Sequence, residues 1–99
     1  MPITGPQARA GRALAELSRD HVAQMADLPV EALRAFEIGK IDPGADARVR
    51  LQAALESSGV VFLDEGDEGP GVRLKFNRRD TRSIKRLENE GGAVADDDV

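Results

Sequence analysis

The side chains able to do covalent or acid–base chemistry are few, and their spacing argues against it. His21 is the sole histidine and the 99 residues contain no cysteine. No nucleophile–base pairing and no metal-ligand spacing occurs, and a lone histidine on a polar helix surface is most often solvated. Asp64, Glu65, Asp67 and Glu68 crowd four carboxylates together, but without the spaced oxygen ligands and closing bidentate glutamate of a calcium loop. They read as a solvated acidic turn. Gly66, Gly69 and Gly71 lie among those acids with no helix after them, so they do not make a phosphate loop. No enzymatic activity, metal or cofactor is expected. What remains is cationic chemistry. Residues 72–86 carry Arg73, Lys75, Arg78, Arg79, Arg82, Lys85 and Arg86 against Asp80 alone, a net +6. Such a segment can take phosphates; equally, it can be a solvated helix balanced by Glu88, Glu90 and Asp96–Asp98.

The elements that would position any such site begin with Thr4. It is a natural N-cap, and Gln7 three residues later completes a capping box for a first helix from about Gly5 to Glu16. Ala10, Ala13, Leu14 and Leu17 are expected to face inward, with Arg9, Arg12 and Glu16 mostly solvated. Leu17–Gly39 then reads as two short helices joined by a tight turn. Ser18 caps the first and Asp20 suits its first turn. Val22, Ala23 and Ala26 give an inward stripe. Asp27-Leu28-Pro29 breaks it, and Pro29 fits the first turn of the next helix because its missing N–H has no acceptor there. Leu33 and Phe36 point inward, and Gly39 closes the helix. After the turn-rich Lys40–Gly44, a fourth helix is expected from about Ala45 to Ser58 with Ala47, Leu51, Ala54 and Leu55 inward.

Two helices this short, joined this tightly, form a helix-turn-helix, and the chain resembles the Cro/Xre-type (lambda-repressor-like) family. Within it the likeness is to a bacterial subfamily that appends a hairpin. The residues that carry it are Thr4-Gly5-Pro6-Gln7, Arg9 and Arg12, Leu17-Ser18-Arg19, Phe36-Glu37-Ile38-Gly39, Gly59-Val60-Val61-Phe62-Leu63-Asp64 and Gly69-Pro70-Gly71-Val72-Arg73-Leu74. It spans about residues 4–76. The fold it implies is mainly α, a four-helix lambda-repressor-like helix-turn-helix domain over 1–59 followed by a β-hairpin over 60–76. Beyond the resemblance, residues 77–90 are expected to be a basic extension compatible with a helix, and 91–99 a disordered acidic tail.

The resemblance also implies a DNA-facing surface: Ser18 and Arg19 at the start of the second helix, Pro29, Val30, Glu31, Ala32, Arg34 and Ala35 on the third, and Lys40 beyond it. Arg19 would take a phosphate. Val30 and Ala32 would meet a thymine methyl, Glu31 would accept from cytosine N4, and Arg34 would reach a phosphate or guanine. Arg48 stands where the family usually carries an aliphatic core residue. Its stem is expected to reach solvent, or Val49 to take over the packing.

In the hairpin, Val60–Asp64 is apolar on both faces, with Val60 and Phe62 opposite Val61 and Leu63. Val72, Leu74 and Phe76 alternate with Arg73 and Lys75. An isolated hairpin is marginal in water. Val60, Val61, Phe62, Leu63, Val72, Leu74 and Phe76 are therefore expected to pair two copies into a homodimer, which would also support a small core with three aromatic residues. The net charge of −4 conceals a −1 balance over residues 1–59, −4 over 60–71 and −5 over 87–99 around the +6 segment. No apolar run reaches membrane-spanning length and no signal-peptide pattern opens the chain, so a cytoplasmic, nucleoid-associated protein is expected. The expected function is a sequence-specific DNA-binding transcriptional regulator, typically a repressor, acting as a homodimer on a palindromic operator in double-stranded DNA. The alternative is a protein-interaction module of the same fold that binds another transcription protein or is recruited to DNA by one.

Overall fold

Thr4 opens the first helix with two reciprocal hydrogen bonds. In the structure, a computed structural model describing residues 2–76, the Thr4 hydroxyl accepts from the Gln7 N–H at 3.2 Å. The Gln7 side-chain carbonyl accepts from the Thr4 N–H at 2.9 Å. The expected capping box is formed, satisfying two amides at the N-terminal end. Helix α1 spans Gly5–Leu14, α2 Arg19–Met25, α3 Val30–Glu37 and α4 Ala45–Ser57; strands β1 and β2 span Val60–Leu63 and Gly71–Leu74. The described chain is thus mainly α, four helices followed by one antiparallel hairpin. The basic extension and acidic tail expected over 77–90 and 91–99 lie outside the described residues.

The first three helices end in the same way. Leu17 N–H donates back to Arg12 O, Leu28 N–H to Ala23 O and Lys40 N–H to Ala35 O. Each bond spans a residue in the left-handed region: Glu16 at φ 59°, Asp27 at 58° and Gly39 at 78°. These are Schellman closures, which return the last carbonyls to amide partners. The closure at Glu16 is why α1 stops at Leu14, two residues before the expected end.

The core lies where α1 to α4 meet. Leu33, Leu51, Leu55 and Val22 have no exposed surface, and Ala47, Leu51, Ala54 and Leu55 form the inward stripe of α4 as expected. The inward face of α1 differs from expectation. Gly5, Gln7, Ala8 and Gly11 are buried, whereas Ala13 is exposed and Leu14 is 43% exposed. Close approach decides this. A Cβ on Gly5 would lie 2.1 Å from Phe36 O, and one on Gly11 would lie 3.0 Å from Val60 Cγ1 and 3.4 Å from Phe62 Cζ. α1 therefore presents its two glycines to α3 and the hairpin, leaves Ala10 half-buried and turns Ala13 and Leu14 outward.

The hairpin pairs Val60 with Leu74, Val61 with Arg73, Phe62 with Val72 and Leu63 with Gly71. Val60, Phe62, Val72 and Leu74 share one face and pack on the core through α1. Half of the cover expected from a second copy is thus supplied by the same chain. Val61 and Leu63 occupy the opposite face. Phe76, expected beside Val72 and Leu74, is 40% exposed with Lys75 Nζ 5.7 Å from its ring centre. Gln7 ties the hairpin to the start of α1: its side-chain amide donates to Gly71 O at 2.8 Å and Leu63 O at 3.2 Å.

Candidate nucleic-acid interface

Ser18 caps α2 as expected, its hydroxyl accepting from the His21 N–H at 3.1 Å. Val22 and Ala23 bury the inner side of α2. The connection to α3 is fastened from below by α4: Arg50 donates through Nε to Ala26 O at 2.9 Å and through Nη2 to Asp27 O at 3.2 Å. Its Nη1 pairs with Asp46. A cation on the last carbonyls of a helix also complements the helix dipole. Pro29, expected in the first turn of α3, stands just before it as the N-cap. It offers no side-chain oxygen, so α3 begins without a side-chain cap.

The expected contact residues of α2, α3 and the following loop have unequal access. Ser18, Pro29, Glu31, Arg34 and Lys40 are exposed; Arg19, Val30, Ala32 and Ala35 are half-buried, and Val30 leans on the core. The side chains of Glu31, Arg34 and Lys40 make no ion pair or hydrogen bond among the described residues. Lys40 is placed by the Schellman bond to Ala35 O at 2.8 Å.

The cluster that sequence reasoning missed centres on Glu37. Glu37 is buried, and its carboxylate accepts from Arg12 Nε at 2.8 Å, Arg12 Nη2 at 3.0 Å and Arg19 Nε at 3.1 Å. Arg12 Nη1 donates to Leu17 O at 3.2 Å. Arg12 is therefore not a solvated charge but one arm of a bidentate pair, the strongest geometry available to these groups. Its hydrogen bond to Glu37 raises the Arg12 pKa above the ordinary guanidinium value; burial opposes the shift and the Glu37 charge adds to it. Arg19 is held by Nε alone, which leaves its two terminal nitrogens without a hydrogen bond among the described residues. The missed signal is helical spacing: Glu37 follows Leu33 by four residues and so falls on the inward arc of α3.

Arg48 follows neither expected course. Its Nε and Nη2 donate to Ile3 O at 3.1 and 2.6 Å, and its Nη1 to Asp42 Oδ2 at 3.1 Å. Its guanidinium carbon lies 5.4 Å from the centre of the Phe36 ring, and Val49 is exposed. Arg48 thus fixes the loop that carries Lys40 against α3 and the segment before α1. Beside Glu37, a cleft of about 320 Å³ is lined by Pro6, Arg9, Ala10 and Ala13. No described helix is long and apolar enough to cross a membrane. No protein-family model matches the chain, and no curated protein matches it in sequence.

Proposed function

We propose that this chain is a lambda-repressor-like, sequence-specific DNA-binding regulator that acts as a homodimer on a two-fold operator, most simply as a repressor on the nucleoid. The observation that carries this reading is the outer rim of α2 and α3. Arg34 is exposed on α3 with no ion pair or hydrogen bond among the described residues; Arg19 stands at the start of α2 and exposed Lys40 just past the end of α3. The helix that carries Arg34 is anchored at both ends, by Arg50 on the turn before it and by the Arg12–Glu37 pair at its close. A rigid short helix with an exposed guanidinium, and cations at the start of α2 and just past α3, suits base-edge contact from the helix and phosphate contact from its borders. Glu31 would accept from cytosine N4 and Ala32 would meet a thymine methyl. Val30, half-buried against the core, has less reach than either.

Selection of bound duplexes from a random-sequence pool tests this. The full chain is expected to enrich an inverted repeat with half-sites about one helical turn apart. Arg34→Ala is expected to relax one position in each half-site, with discrimination there falling by about tenfold. Absence of enrichment overturns the reading. A second reading, docking of another transcription protein, draws support from Ile38, which is 42% exposed on the same rim. It predicts that Ile38→Asp abolishes partner binding while Arg34→Ala does not.

A further inference from the structure

Strand β2 presents an open edge. Lys75 N–H donates to Gly59 O at 2.7 Å, and antiparallel ladders alternate bonded and non-bonded pairs. Val61–Arg73 and Leu63–Gly71 are therefore the bonded pairs, and the backbone groups of Val72 and Leu74 point away from β1. Among the described residues no backbone group meets them across that edge; Leu74 O receives the Arg73 guanidinium at 3.3 Å. α4 packs against β1, and α1 packs against both strands. Gly11 meets β1, at Val60 and Phe62. Turning around α1 away from α4, the next row is Gln7, Ala10 and Leu14, so this row runs below the edge of β2. Its apolar residues, half-buried Ala10 and exposed Leu14, are ones that the sequence expects inward.

Charge flanks the edge asymmetrically. The turn before β2 carries exposed Glu65, Asp67 and Glu68, and exposed Lys75 follows it. A strand acidic at one end and basic at the other is complementary to itself when it runs antiparallel. A two-stranded hairpin also gains most from further strands.

We propose that a second copy of this chain docks on this edge, β2 against β2 about a two-fold axis at Val72, to form a four-stranded sheet over two α1 helices. The inference rests on the homodimer of the reading above and supplies its interface. Each Val72 N–H would donate to the carbonyl of the other Val72. Each Leu74 N–H would donate to the Pro70 carbonyl of the second copy, where the proline needs no acceptor of its own. Lys75 comes opposite Gly69 of the second copy, beside Glu68. The neighbouring register, with its axis at Arg73, sets two guanidiniums directly opposite and is disfavoured.

Sedimentation of the full chain, with amide hydrogen exchange at rising concentration, tests the interface. A dimer is expected, with exchange at Val72 and Leu74 slowing as the dimer forms. Leu14→Glu is expected to weaken it by about tenfold or more. Glu68→Lys and Lys75→Glu are each expected to weaken it by about fivefold, and the double exchange to restore it. Both exchanged residues are exposed, so this pair decides the matter should Leu14→Glu fail to fold. A dimer indifferent to all these variants, with freely exchanging Val72 and Leu74, overturns this interface and leaves the homodimer standing. A chain that stays monomeric overturns both. Protection of those amides at every concentration overturns the interface in favour of cover by the chain's own residues.

Discussion

At Glu37 one carboxylate meets two guanidiniums, and the two do different work. Arg12 binds both oxygens from α1 and has a side chain 17% exposed; Arg19 binds one oxygen and is 33% exposed. Removing the carboxylate leaves Arg12 with a charge and no partner in a mostly buried place. Glu37→Ala should therefore destabilise the fold by about 3 kcal/mol, read by urea unfolding followed by circular dichroism. Arg19→Ala leaves Glu37 its bidentate partner and removes a partly solvated pair, so stability should change by less than about 1 kcal/mol. On the proposed function it should nevertheless weaken DNA binding by about tenfold, because a charge-assisted phosphate contact is lost. Equal stability losses in the two variants would contradict this division. The Arg12 pKa is raised on folding, so its stabilisation is complete at every pH below the ordinary guanidinium range. It fades only as pH climbs through the raised value; the Glu37–Arg12 bond therefore gives Arg12 no titration of stability near neutrality.

Among the elements, α1 does the most joining, through residues with little or no side chain and through one amide. Gly5 admits Phe36 O at a place where a Cβ would sit 2.1 Å away. Gly5→Ala must displace the end of α3 and should cost about 3 kcal/mol or more, lowering the thermal midpoint by over 10 °C. Gln7 unites the N-cap with the hairpin, so Gln7→Ala should cost about 2 kcal/mol and speed amide exchange in β1 and β2 before it affects α4. The expected helices, hairpin, capping box and Gly39 closure are present because each follows from local spacing: Thr4 to Gln7, Leu33 to Phe36, Val72 to Leu74. The facing of α1 is not local. Apolar Ala10, Ala13 and Leu14 satisfy helical periodicity as well as the buried row does, and what chooses between them is the Phe36 carbonyl and Val60, far off in sequence. The proposed contact residues were legible in the same graded way. Arg34 and Lys40 are exposed where the resemblance puts them, whereas the restraint of Arg19 by Glu37 depends on a tertiary pair that no single helix discloses.

For the whole molecule, a net charge of −4 and a DNA-binding role are compatible only if the cations at the interface act locally. Screening makes this measurable. Within about a Debye length of the duplex, each phosphate neutralised releases condensed counterions, and affinity falls with salt by a slope of about 0.9 per phosphate. On the proposed function Arg19 and Lys40 are the rim cations that take phosphates, two per copy and four in a homodimer, so the logarithmic salt slope of operator binding should be at least about 3.6. On the same reading Lys40→Ala would remove one phosphate contact from each copy and should lower that slope by about 1.8, with base preference unchanged. Arg34→Ala should do the reverse, relaxing base preference with a smaller change in slope. A wild-type slope well above four phosphates would assign the surplus to the bases between residues 78 and 86. A slope near zero would mean that no phosphates are engaged, and would transfer the rim of α2 and α3 to a protein partner. Fluorescence anisotropy of a labelled duplex at stepped potassium chloride concentrations reads all three values.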